Sequence, residues 1–120
     1  MPAEFTNKIG IVIPTKDRPR DLRRILGSVA SQSYLPDQIT IVDGGDETVE
    51  DVVHEFPTLN IQYIRVYPPS LSRQRNAGME AIDPSVTMAG YLDDDLVVEP
   101  GAMEAMLSFL QEASPDIGGA

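Results

Sequence analysis

From Lys8 to Pro14 the chain reads Lys-Ile-Gly-Ile-Val-Ile-Pro, a short β-branched apolar run ended by proline, the pattern of a strand buried on both faces. Pro19 stands where a helix can open, and Leu22, Ile25, Leu26 and Val29 follow at the i, i+3, i+4, i+7 spacing of one buried face. The alternation then repeats. Gln38 to Asp43 predicts a second strand, and Val49, Val52, Val53 and Phe56 predict a second helix, stopped by Pro57. Ile61 to Val66 predicts a third strand and Pro68-Pro69-Ser70 a turn. Ser72 to Ile82 predicts a helix whose inward stripe holds Leu71, Gly78 and Ile82, with Arg75 on the same stripe. Thr87 to Leu92 predicts a fourth strand running into three aspartates, after which Pro100 opens a helix with Met103, Met106, Leu107 and Leu110 inward. Four strand-then-helix units, with no internal repeat, linker or low-complexity tract, predict an α/β fold: a Rossmann-like, open, mostly parallel sheet with helices on both faces.

The polar clusters fall at one end of these strands. Pro14-Thr15-Lys16-Asp17-Arg18 follows the first, Asp43-Gly44-Gly45-Asp46 the second and Asp93-Asp94-Asp95 the fourth. Open parallel sheets bind ligands outside the carboxyl ends of their strands, so this shared edge is the predicted site.

Composition narrows the chemistry. The chain has 120 residues, enough for one core, and its 42% hydrophobic and 23% charged content is that of an ordinary folded domain. Nine Lys and Arg against nineteen Asp and Glu leave a net charge of −10, with no basic block to track a phosphate backbone, so nucleic acid is not an expected partner. No stretch approaches the ~20 apolar residues of a membrane span and the first residues lack the apolar run of a secretory signal, which reads as a cytoplasmic protein. With no cysteine, a metal would have to be held by oxygen ligands or by the single histidine, His54, which lies in the second helix away from the predicted site.

Three successive aspartates repel one another unless a cation or solvent screens them. In extended backbone Asp93 and Asp95 share a face while Asp94 turns toward a neighbouring loop. Such hard ligands suit Mg²⁺ or Mn²⁺, which take one or two carboxylates and complete their shell with water and substrate phosphate. The competing reading is an acidic cap that solvates a strand end. Asp43 before Gly44-Gly45 is either an acceptor for a base N–H or a turn and N-cap residue. Gly44-Gly45 is not a dinucleotide fingerprint, because the G-x-G-x-x-G spacing is absent. Arg75, on an apolar stripe, needs a carboxylate such as Asp43 or the triplet, or a nucleotide; alternatively it ties its helix to the sheet. Arg18 and Lys16 offer phosphate contacts or are simply solvated.

Together these residues resemble the family 2 inverting glycosyltransferases, which have the GT-A fold. Ile11-Val12-Ile13-Pro14-Thr15 with Arg18 is similar to the family's opening strand and loop, and Ile41-Val42-Asp43-Gly44-Gly45 to its second. Arg75-Asn76-Ala77-Gly78 resembles its Arg-Asn-x-Gly element, and Leu92-Asp93-Asp94-Asp95 with Glu99-Pro100-Gly101 its Asp-x-Asp loop and next helix. Gly45-Asp46-Glu47 stands where the family often has Ser followed by Thr or Asp.

The resemblance implies a sugar-nucleotide-binding domain over residues 1–120 that ends before an acceptor-binding half. It implies that Pro14, Thr15, Arg18, Asp43, Arg75, Asp93 and Asp94 contact the donor nucleotide, and that Asp95, with Asp93, holds Mn²⁺ or Mg²⁺. The donor would be a nucleoside diphosphate sugar, UDP-linked first among them, and the sugar would pass with inversion to an acceptor of unspecified identity. The general base is expected beyond residue 120, so this chain is expected to bind donor without full activity. An unpaired sheet edge would favour self-association. Two other classes are a non-catalytic nucleotide-sugar-binding module and a sugar-phosphate nucleotidyltransferase, although no Gly-rich basic loop follows the first strand.

Overall fold

A computed structural model describes residues 8–105. In chain order the elements are β1 (Ile9–Thr15), α1 (Pro19–Ala30), β2 (Gln38–Asp43), α2 (Glu50–Val53), β3 (Ile61–Arg65), α3 (Leu71–Glu80) and β4 (Met88–Tyr91). Residues 102–105 begin a further helix, with Met103 buried. Met106, Leu107 and Leu110 lie outside the described residues.

All four strands are parallel, in the order β3-β2-β1-β4. The chain therefore builds outward from β1 to β3 and then returns to β1's other side, which places the switch in strand order between β1 and β4. β1 and β2 are buried along their whole length, as their unbroken apolar runs predict. Pro14 does not end β1. Val12 accepts from Leu92 across the β4 side, so the backbone of residue 14 faces that side too, where the paired part of β4 has already ended at Tyr91. A missing N–H there breaks no ladder bond.

Pro19 opens α1, and Leu22, Ile25, Leu26 and Val29 are fully buried against β1 and β2 residues such as Ile13 and Ile39. The second helix is shorter than its apolar spacing predicts. After the 54→50 bond, Glu55 and Phe56 bond back only three residues, to Val52 and Val53. Pro57 disfavours helical backbone at Phe56, and the turn tightens and ends.

In α3 the buried residues are Gln74 and Gly78, four apart, rather than the Leu71 and Arg75 side of the predicted stripe; Leu71 is 54% exposed. Gly78 sets this rotation. A Cβ there would stand 2.3 Å from Val12 Cγ1, so glycine lets the helix backbone rest directly on β1. β4 is exposed along its length among the described residues, in contrast to the covered sheet predicted. Among the described residues no helix is long and apolar enough to cross a membrane.

Candidate functional site

The carboxyl end of β1 is fastened to the aspartate loop after β4. Thr15 Oγ1 donates to Asp94 Oδ2 at 2.8 Å, and Arg18 Nη1 donates to Asp94 Oδ1 at 3.1 Å. Asp94 is 5% exposed while Asp93 and Asp95 on either side are exposed. One aspartate of the triplet is thus paired inside the protein and two remain for the outside; the division is the one expected of extended backbone, but here a turn closed by Leu96 N donating to Asp93 O at 3.2 Å makes it.

The loop after β1 is fastened to the loop after β2 as well. Asp17 takes a left-handed backbone conformation (φ 54°), tolerated by aspartate, and its Oδ1 accepts from Asp46 N at 3.0 Å. Gly45 passes so close that a Cβ on it would lie 2.6 Å from Asp17 Oδ1. Tyr67 donates its hydroxyl to Asp46, and that hydrogen bond raises the phenol's pKa above its ordinary value.

Asp43 is fully buried. Its Oδ1 accepts from Gly45 N at 2.9 Å; its Oδ2 accepts from Val49 N at 3.1 Å, from Arg65 Nη1 at 3.1 Å and, in a short contact, from the Tyr63 hydroxyl. Arg65 also donates to Gly45 O at 2.7 Å. Hydrogen bonding with Tyr63, and then the charge of Asp43, raise the Arg65 pKa against the lowering effect of burial. Asp43 therefore shapes the Gly44-Gly45 loop and offers no open face in this conformation. This differs from a carboxylate waiting for a base N–H.

Arg75 also stands apart from its expected partners. Its guanidinium lies over the Tyr91 ring, 5.1 Å from the centroid, while buried Nε has no hydrogen-bond partner. The carboxylate that sequence spacing offered it, Asp43, belongs to Arg65. A ring face stabilises a cation without requiring a buried carboxylate, which explains how Arg75 is accommodated beside exposed β4.

A cleft of about 480 Å³ opens between these loops and the start of α3. Pro14, Thr15, Lys16, Arg18, Pro69, Ser70, Leu71, Gln74, Asp93, Asp94 and Asp95 line it. The structure thus brings together Pro14, Thr15, Arg18 and the three aspartates, and leaves Asp43 and Arg75 out of the lining. Ser70 caps α3 by accepting from Arg73 N, so the positive end of a ten-residue helix borders the cleft.

Sequence reasoning passed over Gln74, Tyr63 and Arg65. Gln74 is 4% exposed and donates through Nε2 to Thr15 O at 3.1 Å and Val42 O at 2.9 Å, bridging the ends of β1 and β2. The available signal was its position four residues before Gly78, on the face that glycine marks as closest to the sheet. Tyr63 and Arg65 alternate along β3, a period that would have put both on the face shared with Asp43.

A larger cavity of about 700 Å³ lies at the amino ends of the strands, next to Gln38 and Asp83. Its polar groups serve one another: Gln38 Nε2 donates to Gln62 Oε1 and Ala81 O, and Gln38 Oε1 accepts from Asp83 N. The carboxyl-end cleft, with two exposed carboxylates and two cations, is the one equipped to meet a charged ligand.

For a divalent cation, the donor set fits a shared rather than a closed site. Among the described residues no three carboxylate or histidine groups converge as ligands. Exposed Asp93 and Asp95 supply the one or two carboxylates with which Mg²⁺ or Mn²⁺ joins a phosphate-bearing substrate.

Comparison with known proteins agrees with the fold. The sequence profile of "Glycosyl transferase family 2" matches residues 10–118. Chondroitin synthase of Escherichia coli is 33% identical over 107 residues, covering 85% of this chain and 15% of that protein. The uncharacterized glycosyltransferase YwdF of Bacillus subtilis (strain 168) is 34% identical over 107 residues, covering 88% of this chain and 39% of the relative. The chain therefore spans well under half the length of these relatives. In three dimensions S. aureus TarS, solved in complex with UDP-GlcNAc, superposes with a TM-score of 0.73 at 17% identity, covering 88% of this chain and 31% of that one. The shared architecture is the GT-A fold.

Proposed function

Since the chain belongs to glycosyl transferase family 2, we propose that it forms the donor-binding part of an enzyme that moves a sugar from a UDP-sugar to an acceptor hydroxyl with inversion. The observation that carries this reading is the Thr15–Asp94–Arg18 knot at the strand-order switch, which leaves Asp93 and Asp95 exposed on a cleft beside the N-terminus of α3. The structure of TarS with UDP-GlcNAc supports the choice of uridine and of a nucleoside diphosphate sugar.

In this reading Asp94 acts by holding. Its bonds to Thr15 and Arg18 fix the aspartate loop against β1, so that Asp93 and Asp95 meet the diphosphate without a loop having to order first. The side chain of Arg18 is 56% exposed even while it binds Asp94, which leaves donors for a phosphate oxygen. Lys16 adds a second cation at the same rim. Asp93 and Asp95 would hold a divalent ion, which would supply positive charge to offset the negative charge developing on the leaving nucleotide. Attack on the anomeric carbon opposite that nucleotide needs a base for the acceptor hydroxyl.

The reading is tested by thermal unfolding of the chain with Mn²⁺ and, in turn, UDP, GDP and no nucleotide. UDP with Mn²⁺ is expected to raise Tm most, because a ligand that binds only the folded state stabilises it in proportion to its occupancy. A Tm unmoved by every nucleoside diphosphate at millimolar concentration would contradict it.

A further inference from the structure

The loop that carries Asp93, Asp94 and Asp95 is fastened at two places. The first is Asp94, bound to Thr15 and Arg18. The second lies a few residues on, where Val98 to Met103 meets the end of α1. Val98 N donates to Ser28 Oγ at 2.9 Å, and the same hydroxyl donates to Ile25 O at 2.7 Å, so its proton is already placed. Gln32, just past α1 and 6% exposed, uses its whole amide. Nε2 donates to Glu99 O at 2.8 Å, and its hydrogens also reach Ser28 O at 3.1 Å and Val98 O at 3.3 Å; Oε1 accepts from Met103 N at 3.1 Å. The flipped amide would set oxygen against three carbonyl oxygens and N–H against N–H, which fixes its orientation.

Asp95 sits between the two fastenings, directly after Asp94 and shortly before Val98. Leu96 and Val97, which complete that span, are 46% and 53% exposed, so apolar packing does not hold it. Its path is set by hydrogen bonds at its two ends and by the turn in which Leu96 N donates to Asp93 O. Neither Ser28 nor Gln32 lines the cleft, so an effect of either on a ligand there has to pass through the loop.

We propose, on the reading that Asp93 and Asp95 hold a divalent ion for a nucleoside diphosphate, that Gln32, with Ser28, is a positioning residue for Asp95. From outside the cleft it fixes the backbone that presents this carboxylate to the ion. Hydrogen bonds that restrict a ligand to its binding geometry raise metal affinity, because the ligand no longer has to be ordered when the ion arrives.

The test is calorimetry of UDP binding to the whole chain over a series of Mn²⁺ concentrations and in chelator, for wild type, Gln32→Met and Ser28→Ala, with Tm read for each. Gln32→Met keeps the length of the side chain and loses its bonds. The Mn²⁺ concentration for half-maximal UDP binding is expected to rise about 3- to 10-fold in Gln32→Met and about 2-fold in Ser28→Ala. Both lie below the ~10- to 100-fold typical of a group bonded to the metal ligand itself. UDP affinity in chelator is expected to stay near the wild-type value. A lowered Tm with an unchanged Mn²⁺ requirement would make Gln32 a purely structural clamp and overturn the inference, leaving the donor reading in place. Equal weakening with and without Mn²⁺ overturns it too, because the effect then falls on the cleft as a whole. If Gln32→Met does not fold, Ser28→Ala decides: a raised Mn²⁺ requirement supports the inference and an unchanged one overturns it. UDP binding to folded wild type that is absent, or indifferent to Mn²⁺, would instead remove the reading on which the inference rests.

Discussion

Thr15, the last residue of β1, donates its hydroxyl to Asp94 across the point where strand order reverses, with 2.8 Å between the oxygens. The bond joins the first strand's end to the fourth strand's loop, 79 residues later, and buries one carboxylate of a triplet whose other two face outward. Removing the hydroxyl by Thr15→Val leaves Asp94 short of a donor at 5% exposure. Stability is expected to fall by about 1–3 kcal/mol, read from urea denaturation, with Thr15→Ser recovering most of the loss.

Asp43 and Arg65 form an unequal pair. The carboxylate is fully buried with four donors, whereas the Arg65 side chain keeps 34% of its exposure. Asp43→Ala is therefore expected to cost about 3–5 kcal/mol, because it strands the buried N–H groups of Gly45 and Val49 as well as a cation. Arg65→Ala is expected to cost distinctly less, since water replaces part of its role. Equal midpoint shifts in denaturation would contradict this ordering.

At Gly78, propensity and packing oppose each other. Alanine favours a helix by about 1 kcal/mol over glycine, yet its Cβ would meet Val12 Cγ1 at 2.3 Å inside the core. Packing is expected to win, with Gly78→Ala lowering stability by about 1–3 kcal/mol in thermal or chemical unfolding.

Arg23 and Glu55 link α1 to the end of the second helical segment through two hydrogen bonds of 2.7 and 2.8 Å. Hydrogen bonding from Arg23 holds Glu55 below its ordinary pKa. A depressed folded pKa means that the unfolded chain binds the proton more readily. The contribution is therefore present above the ordinary glutamate range and fades as pH falls through the folded value. Glu55→Gln is expected to be slightly less stable than wild type at pH 7, with the gap closing at pH 3. Both side chains are well exposed, so the difference is small and shrinks further in salt.

Much of this architecture can be read from the chain because each apolar run is tied to one period. Leu22, Ile25, Leu26 and Val29 announce α1, and the buried runs at Ile9–Thr15 and Gln38–Asp43 announce the two central strands. The cleft is legible for a topological reason: strand ends of a parallel sheet share an edge, so Thr15, Arg18 and Asp94 are predicted neighbours before any distance is known. What stays hidden is decided between elements. Whether Asp43 faces a ligand or Arg65 depends on the register of β2 against β3, in which Asp43 stands opposite Arg65. The rotation of α3, which buries Gln74 and turns Arg75 onto Tyr91, depends on how closely Gly78 lets the helix approach Val12, and apolar spacing alone carries no such information.

Asp93 and Asp95 carry the central claim, because they are the exposed carboxylates left when Asp94 is bound inside. The most direct measurement is calorimetry of UDP binding to wild type and Asp95→Asn, each with Mn²⁺ and again with chelator. UDP is predicted to bind wild type in Mn²⁺, to bind it at least about 10-fold more weakly in chelator, and to lose that metal dependence in Asp95→Asn with the fold intact. Binding to wild type that is indifferent to Mn²⁺ and to Asp95 would contradict a metal-bridged diphosphate in this cleft.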